Sequence, residues 1–375
     1  MKVLQVMASC AQVSGVAQAM MNYYRHIAKE VTFDFLVFWE NDYTFRTEIE
    51  ELGGRVFLTP EPGLRGFSQY RKAVEEFFRT HAGEYDAVQL HDLYLNPVIF
   101  TLAKKYGVKV RIAHSHSEKY SDHLKGSVRN WLLYRSLPYL ATDFWAASVA
   151  AGNAAFGKRI TSTASFTVIN NAISLERFLF NPGQRAEVRS EFNISPDAFV
   201  LGHIGRFVPQ KNHELLVQVF AEVKRRRPDA CLLLVGEGGP LRPAVETRVK
   251  KLGIGDSVHF AGLRTDIGAL LSAMDSFCLP SLYEGFGIVL AEAQTNGLPC
   301  LASSQVPEEA RILPSYRQQG LGDPPARWAE TILSLPTNRL EGADKLVAER
   351  GFDIRKTSRL LVSHYQKLIH DEGKP

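Results

Sequence analysis

The sequence has few cysteines and no long apolar run. Its four cysteines are scattered without a Cys-x-x-Cys pair, so we expect free, buried thiols in a reducing cytoplasm. No stretch of 18 apolar residues is uninterrupted, which argues against a membrane-spanning helix. The first residues lack the apolar core of a signal peptide and are typical of a buried strand. A cytoplasmic protein is therefore predicted.

An excess of charge of one sign is also missing, since 44 Lys and Arg against 40 Asp and Glu give a net charge of +4. This mild charge does not indicate a nucleic-acid partner. The motif Asp-x-Asp occurs nowhere in the chain, so the sequence shows no dedicated carboxylate site for a metal–diphosphate complex. Neither a metal nor a cofactor is predicted.

Short apolar runs alternate with amphipathic segments along the whole chain, which indicates an α/β fold with parallel sheets. A length of 375 residues favours two domains of ordinary size. The predicted strands are Val3–Ala8, Phe33–Trp39, Arg55–Leu58, Ala87–His91, Val110–His114, Phe144–Ala147, Phe166–Ile169, Val200–Ile204, Cys231–Val235, Val258–Ala261, Ser276–Leu279 and Pro299–Ala302. Helical patterns fill most gaps between them, for example Leu215–Val223 and Ile267–Ala273.

Turn signals cluster between residues 170 and 196, and the strand–helix alternation restarts at Phe199. This pattern predicts two Rossmann-like domains, residues 1–172 and 173–353. A final helix over Ile354–Ile369 carries an apolar stripe that suits either domain.

Two glycine motifs resemble phosphate-binding signatures but fail in detail. Gly152–Lys158 matches a P-loop, yet Arg159 replaces the hydroxyl residue that would hold magnesium. A helix between Ser148 and Gly157 explains this segment better. Gly236-Glu-Gly238 lacks the third glycine of a dinucleotide motif. Binding of ATP or NAD is therefore not predicted.

Two other turns between a strand and a helix are better candidates. The turn Ala11–Gly15 follows the first strand, where small residues let a ligand approach helix N–H groups; an ordinary turn is the alternative. After the strand that ends at Ile204, Gly205-Arg206 and Lys211-Asn212 place two cations where α/β ligands bind. Such a pair suits a diphosphate, and Asn212 can cap the next helix.

Glu284 and Glu292 lie eight residues apart and flank the turn Gly285-Phe286-Gly287 and a helix start. Free N–H groups and the helix dipole bind anions at such a place, most often phosphate. One carboxylate before the turn and one within the helix can each hold hydroxyl groups beside that phosphate. These features together describe a nucleotide sugar.

His114 and His116 lie at the end of the strand Val110–His114, where a histidine can donate a hydrogen bond or move a proton. Their spacing puts both side chains on one face of the strand, yet no further Cys/His cluster completes a zinc site. A structural role for these histidines is the alternative.

The segment Thr101–Ile160 contains ten Lys or Arg against three acidic residues. Within it, Val128–Leu140 mixes aromatics, leucines and arginines around Trp131. This composition is typical of a peripheral contact with an anionic membrane or of a core helix with a solvated basic face.

Four blocks together resemble the C-terminal half of family 4 retaining glycosyltransferases, which have the GT-B architecture. They are Gly205-Arg206…Gln210-Lys211-Asn212, Val235-Gly-Glu-Gly238, Phe260-Ala-Gly-Leu-Arg264 and Pro280-Ser-Leu-Tyr-Glu284-Gly-Phe-Gly-Ile-Val-Leu-Ala-Glu292-Ala. Met21-Asn-Tyr-Tyr-Arg25 and Gly351-Phe-Asp-Ile354 add a likeness to bacterial exopolysaccharide-type enzymes. The resemblance implies two parallel sheets facing across a cleft, with a C-terminal helix, about 354–375, that crosses back to complete the first domain.

The resemblance also implies a role for each candidate residue. Arg206 and Lys211 would neutralise the donor diphosphate. The other implied contacts are Glu284 with the donor sugar, Glu292 with the ribose, Gly15 and Gly205 with the diphosphate, the amides of Gly285, Phe286 and Gly287 with sugar and phosphate, Leu263-Arg264 with the nucleobase, and His116 with the transferred sugar and the acceptor. Relatives often carry Gly-Gly where this chain has Ser14-Gly15; serine can serve there if its φ is negative, and its hydroxyl could bind phosphate.

The implied reaction is metal-independent transfer of a sugar, with retention, from a nucleotide sugar to a hydroxyl acceptor. UDP-sugars are the commonest donors in the family, and a glycan or lipid-linked sugar at the inner face of the plasma membrane is the implied acceptor. A nucleotide-sugar 2-epimerase of the same architecture is one alternative, although the further carboxylates that it needs are not evident. A non-catalytic glycan-binding subunit is another, although Arg206 and Lys211 are both present.

Overall fold

The computed structural model describes residues 1–63, 66–116 and 124–372. The chain forms two compact units, Met1–Ala172 with the segment from Ile354 onward, and Ile173–Asp353. Of the basic segment noted above, Glu118, Lys119 and Asp122 lie outside the described residues, as does the side chain of Lys125.

The first unit is built on a seven-stranded parallel sheet. Its strands are β1 Lys2–Val6, β2 Thr32–Val37, β3 Val56–Leu58, β4 Ala87–Leu90, β5 Val110–Ser115, β6 Asp143–Ala146 and β7 Phe166–Val168. Its helices are α1 Gly15–Ile27, α2 Arg46–Glu51, α3 Phe67–His81, α4 Asn96–Lys105, α5 Leu124–Tyr134, α6 Leu137–Leu140, α7 Val149–Phe156, α8 Lys158–Thr161 and, at the C-terminus, α16 Ile354–Glu372. The strand order is β3-β2-β1-β4-β5-β6-β7. In α16, Tyr365 is fully buried and packs on Trp145 of β6.

The second unit has a six-stranded parallel sheet. Its strands are β8 Val200–Ile204, β9 Cys231–Val235, β10 Val258–Gly262, β11 Ser276–Leu279, β12 Cys300–Ser303 and β13 Tyr316–Gln319. Its helices are α9 Pro182–Glu191, α10 His213–Arg226, α11 Arg242–Lys251, α12 Ile267–Ala273, α13 Ile288–Thr295, α14 Pro325–Ser334 and α15 Ala343–Glu349. The order is β10-β9-β8-β11-β12-β13. Neighbouring residues of one strand, such as Leu233 and Leu234, enter separate cores on the two faces of this sheet.

Each predicted strand is present, with its ends within two residues of the predicted ones. The helix predicted instead of a P-loop is confirmed as α7, because Ser148 Oγ accepts from Ala151 N at 3.0 Å and Gly157 ends the helix with φ 80°. The prediction missed β13, since the sequence Tyr-Arg-Gln-Gln lacks an apolar run. Its place at the sheet edge explains that polarity.

In each sheet the strand order reverses once, between β1 and β4 in the first unit and between β8 and β11 in the second. The loops that leave the carboxyl ends of such strands diverge, and ligands of open α/β sheets bind in the crevice between them. The turn before Gly15 follows β1, and His91 follows β4. Arg206 and Lys211 follow β8, and Glu284 follows β11.

Candidate functional site

Lys211 and Glu284 meet where the strand order of the second unit reverses. Lys211 ends a short 3-10 turn after β8, and its Nζ lies 2.6 Å from Oε1 of Glu284, in the loop after β11. The two side chains are only 16% and 7% exposed. Because the register of β8 and β11 brings these loops together, two residues that the sequence placed in separate motifs form one ion pair.

Two further side chains hold the Glu284 carboxylate, and the sequence analysis assigned a role to neither. Ser281 Oγ donates to Glu284 Oε1 at 2.7 Å. Gln210 Nε2 donates to Tyr283 O at 3.1 Å and to Glu284 Oε2 at 3.4 Å, while Gln210 O accepts from Leu282 N at 2.8 Å. Both residues lie within the blocks that carried the family resemblance, so their position next to Lys211 and Glu284 was the available signal.

The glycine turn after Glu284 leaves its backbone donors free. Gly287 has φ 75° and precedes α13. Within the part of the chain that the structure describes, the N–H groups of Gly285, Phe286 and Gly287 donate to no backbone acceptor. The Phe286 ring is buried and stacks on the Phe352 ring, with the two ring centroids 4.6 Å apart. Phe286 can therefore offer only its amide to a ligand, while its ring anchors the turn.

Glu292 is the fifth residue of α13. Burial raises the pKa of its carboxyl to about 7, although the nearby charge of Arg177 opposes the shift. Near neutral pH this carboxyl can therefore either accept or donate a hydrogen bond, and both interactions suit ribose hydroxyl groups.

The loop after β8 offers one exposed cation. Arg206 is exposed, and among residues 1–63, 66–116 and 124–372 its guanidinium has no ion-pair partner. Gly205 lies under the stem of Lys211, where an added Cβ would be 3.1 Å from Lys211 Cγ. The predicted capping role of Asn212 is wrong: the residue is left-handed, with φ 52°, and its side chain makes no cap hydrogen bond to α10.

Leu263 and Arg264, expected near a nucleobase, follow β10. The Leu263 side chain is exposed. Arg264 donates from Nη2 to Glu191 at 3.1 Å and to Asp266 at 2.7 Å. Two carboxylates thus fix the Arg264 guanidinium beside the exposed leucine, and neither residue contacts the Lys211–Glu284 pair through a hydrogen bond.

In the first unit, the serine in the turn after β1 has the negative φ on which its expected role depends. Ser14 has φ −84°, and its Oγ accepts from Ala17 N at 3.3 Å, as an N-cap. The hydroxyl hydrogen therefore remains available to an anion. Gly15 begins α1, and no atom lies within 4 Å of the position that a Cβ would take. The protein itself does not require glycine there, and the open space is consistent with a ligand.

The sequence showed no further Cys/His cluster beside His114 and His116, but the structure brings one more histidine to them. His91 follows β4, the strand next to β5, and its Nδ1 lies 2.8 Å from Nε2 of His116. Potential ligand atoms of the three histidines lie within 4.8 Å of one another. Burial lowers the pKa of His116 to about 4, so the ring is neutral at neutral pH.

The histidine trio does not fit a metal ion. Two nitrogens bound to one tetrahedral zinc at about 2.05 Å would lie about 3.3 Å apart. The separation of 2.8 Å between His91 Nδ1 and His116 Nε2 is instead that of a hydrogen bond. We therefore assign no metal chemistry to this cluster.

Comparisons with known proteins identify the family of the chain. The family described as "Glycosyl transferases group 1" matches residues 184–349. The chain is 30% identical to "Putative glycosyltransferase EpsF" of Bacillus subtilis (strain 168) over 371 residues, 97% of this chain and 96% of the relative. It is 26% identical to UDP-Gal:alpha-D-GlcNAc-diphosphoundecaprenol alpha-1,3-galactosyltransferase of Escherichia coli, over 59% of this chain and 58% of the relative.

Solved structures show the same fold. Anabaena Alr3699/HepE, in complex with UDP and glucose, aligns with a TM-score of 0.80 at 20% identity, over 98% of this chain and 99% of HepE. Sucrose-phosphate synthase of Thermosynechococcus elongatus aligns with a TM-score of 0.79 at 18% identity, over 99% and 100% of the two chains. The two parallel sheets are thus those of a GT-B glycosyltransferase.

The chain belongs to the group 1 glycosyltransferases, the family of the GT4 type that the sequence blocks resembled. It is a transferase of this class. Within the described ranges, no helix has both the length and the apolar character needed to cross a bilayer.

Proposed function

We propose that this protein transfers a sugar from a UDP-sugar to a hydroxyl group of a glycan or lipid-linked sugar, with retention of anomeric configuration, in bacterial polysaccharide or glycolipid synthesis. The observation that carries the proposal is the Lys211–Glu284 pair. Arg206 lies in the same loop as Lys211, the amides of residues 285–287 directly follow Glu284, and within the described part of the chain neither group has a partner. The UDP and glucose bound to HepE support the donor class. The diphosphoundecaprenol named for the Escherichia coli relative supports a lipid-linked acceptor.

The main catalytic demand of this reaction is the negative charge that develops on the leaving diphosphate. Arg206 supplies an unpaired positive charge, Lys211 a shared one, and residues 285–287 supply N–H donors. The bond from the anomeric carbon to phosphate breaks while a bond to the acceptor oxygen forms on the same face. The acceptor proton passes to the departing phosphate oxygen. Because the chain's own cations neutralise the phosphate, the proposed reaction does not require a metal ion.

A thermal-shift screen against UDP-, GDP- and ADP-sugars tests the donor. A ligand that binds the native state raises its stability in proportion to occupancy, so a UDP-sugar should raise Tm while the other two do not. Incubation of the stabilising donor alone distinguishes an epimerase, which would convert it without an acceptor. A protein that binds none of the donors would contradict the proposal and favour a glycan-binding subunit.

The proposal includes a peripheral contact of the first unit with an anionic membrane. On α5, Val128, Trp131 and Leu132 are 54%, 46% and 54% exposed. Their i, i+3, i+4 spacing places them on one face, and Arg135 lies over the Trp131 ring at 4.8 Å. An apolar face edged by arginines suits the surface of an anionic bilayer.

Liposome sedimentation tests this contact. The double substitution Arg129→Glu with Arg135→Glu should weaken binding to vesicles that contain anionic lipid, whereas Lys250→Glu with Lys251→Glu on α11 reverses the same number of charges elsewhere and should not. Equal binding of both variants would leave α5 as a solvated basic helix.

A further inference from the structure

Behind His116, the first unit buries polar side chains that the proposed function leaves without a role. Gln5 of β1, Gln89 of β4 and His114 of β5 are each 0% exposed, and the register of β1 with β4 sets Gln5 opposite Gln89. His91 and His116 come two residues after Gln89 and His114, directly beyond the ends of β4 and β5. Burial of so many polar groups is costly unless each finds a partner.

The partners form a continuous set of hydrogen bonds from α16 to His116. Tyr365 OH donates to Gln89 Oε1, and Gln5 Nε2 lies 3.4 Å from Tyr365 OH and 3.5 Å from Gln89 Oε1. Gln5 Oε1 lies 2.8 Å from His91 Nε2, and His91 Nδ1 lies 2.8 Å from His116 Nε2. We define the buried relay as Gln5, Gln89, His91 and Tyr365.

The direction of these bonds fixes the proton on each ring. With the Gln5 amide oriented in this way, its Oε1 can only accept, so His91 carries its proton on Nε2. His91 Nδ1 is then a lone pair, and it accepts from His116 Nε2. A neutral His116 with its proton on Nε2 has a lone pair on Nδ1. Among the described residues this buried atom makes no hydrogen bond of ordinary geometry, and the Asn171 side chain is a polar neighbour of the ring.

We infer that the buried relay holds His116 as the Nε2–H tautomer, which leaves Nδ1 as the hydrogen-bond acceptor that this ring can offer to a sugar hydroxyl. The members of the relay are positioning residues, since they act through His116. Ring packing further restrains the orientation of these side chains. The ring centroids of His114 and His116 lie 4.1 Å apart, and those of Trp145 and Tyr365 lie 5.1 Å apart. The inference rests on the proposed role of His116 beside the transferred sugar and specifies which atom performs it.

The tautomer can be read without substrate, by two-bond proton–nitrogen NMR on the full-length protein labelled with 15N-histidine. Loss of one signal set in His116→Gln assigns the resonances. We expect a protonated Nε2 and a bare Nδ1 on His116 at neutral pH. Because this readout needs no donor, its result does not depend on whether the protein transfers a sugar.

His91→Phe removes the acceptor for His116 Nε2–H, and Gln5→Met removes the acceptor for His91 Nε2–H at similar side-chain volume. Each should convert His116 to a mixture of tautomers and lower kcat/KM about tenfold, the effect expected for loss of one hydrogen bond to the substrate. His26→Gln, an exposed histidine on α1, should leave the His116 signals unchanged. Gln5→Met keeps the test available if His91→Phe does not fold.

A proton on Nδ1 of His116 in the wild type would overturn the inference, as would an unchanged tautomer in both relay variants. Tight binding of one zinc ion per chain, with loss of the histidine N–H signals, would also overturn it and assign the cluster to metal binding instead.

Discussion

The Lys211 ammonium lies 2.6 Å from the Glu284 carboxylate, and this contact joins the loops after β8 and β11. Ser281 and Gln210 donate to the same carboxylate. These contacts organise the site in the protein alone, and a diphosphate bound as proposed would share Lys211 with Glu284. Such preorganisation reduces the reorganisation that binding requires.

Removal of Lys211 should be more damaging to stability than removal of the whole pair. Lys211→Met leaves Glu284 buried with no counter-charge, which we expect to cost about 2 kcal/mol, below the 3–5 of a fully buried pair. The double variant Lys211→Met with Glu284→Gln should recover most of that loss. Urea denaturation measures the free energy of unfolding of the single and double variants. If the losses in the two single variants simply add in the double variant, the pair is not coupled.

Arg206→Ala should abolish most activity without loss of stability. The guanidinium is exposed and unpaired among the described residues, so the free energy of unfolding should change by less than about 0.5 kcal/mol. Loss of a charge that stabilises the leaving group should lower kcat/KM roughly 100-fold or more. Arg225→Ala, an exposed arginine on α10, is the control; wild-type turnover in Arg206→Ala would remove its assigned role.

Gly15→Ala should weaken UDP binding without destabilising the fold. A methyl group at this position meets no atom of the protein within 4 Å, and alanine is a better helix residue than glycine, so stability should rise by several tenths to about 1 kcal/mol. If Gly15 approaches the donor diphosphate, the same methyl group should weaken UDP affinity. Isothermal titration checks this, and unchanged affinity would place the ligand elsewhere.

Glu292→Gln should stabilise the protein in a pH-dependent way. Because burial raises the pKa of Glu292 from 4.5 to about 7, the native state binds more protons than the unfolded state between these values. Wild-type stability is therefore lost as pH rises through this window. At pH 8 the glutamine variant should be more stable by about 3 kcal/mol, and the difference should disappear below pH 4.5. A constant difference across this range would contradict the raised pKa.

The sequence located most of the strands. Apolar runs bounded by turns identified the strands, because burial on both faces of a parallel sheet leaves little room for polar residues. It missed β13, where an edge position permits polar residues. It also placed Asn212 in a capping role that the left-handed backbone of that residue does not support.

The sequence by itself determined that Arg206 and Lys211 follow a strand and that Glu284 and Glu292 flank a helix start, since spacing from the apolar runs is a local property. Only the tertiary structure decided which of these residues meet. The Lys211–Glu284 pair depends on β8 lying next to β11, and the bond from Gln5 to Tyr365 spans 360 residues. Strand order and register create such contacts, and no local pattern of residues encodes either one.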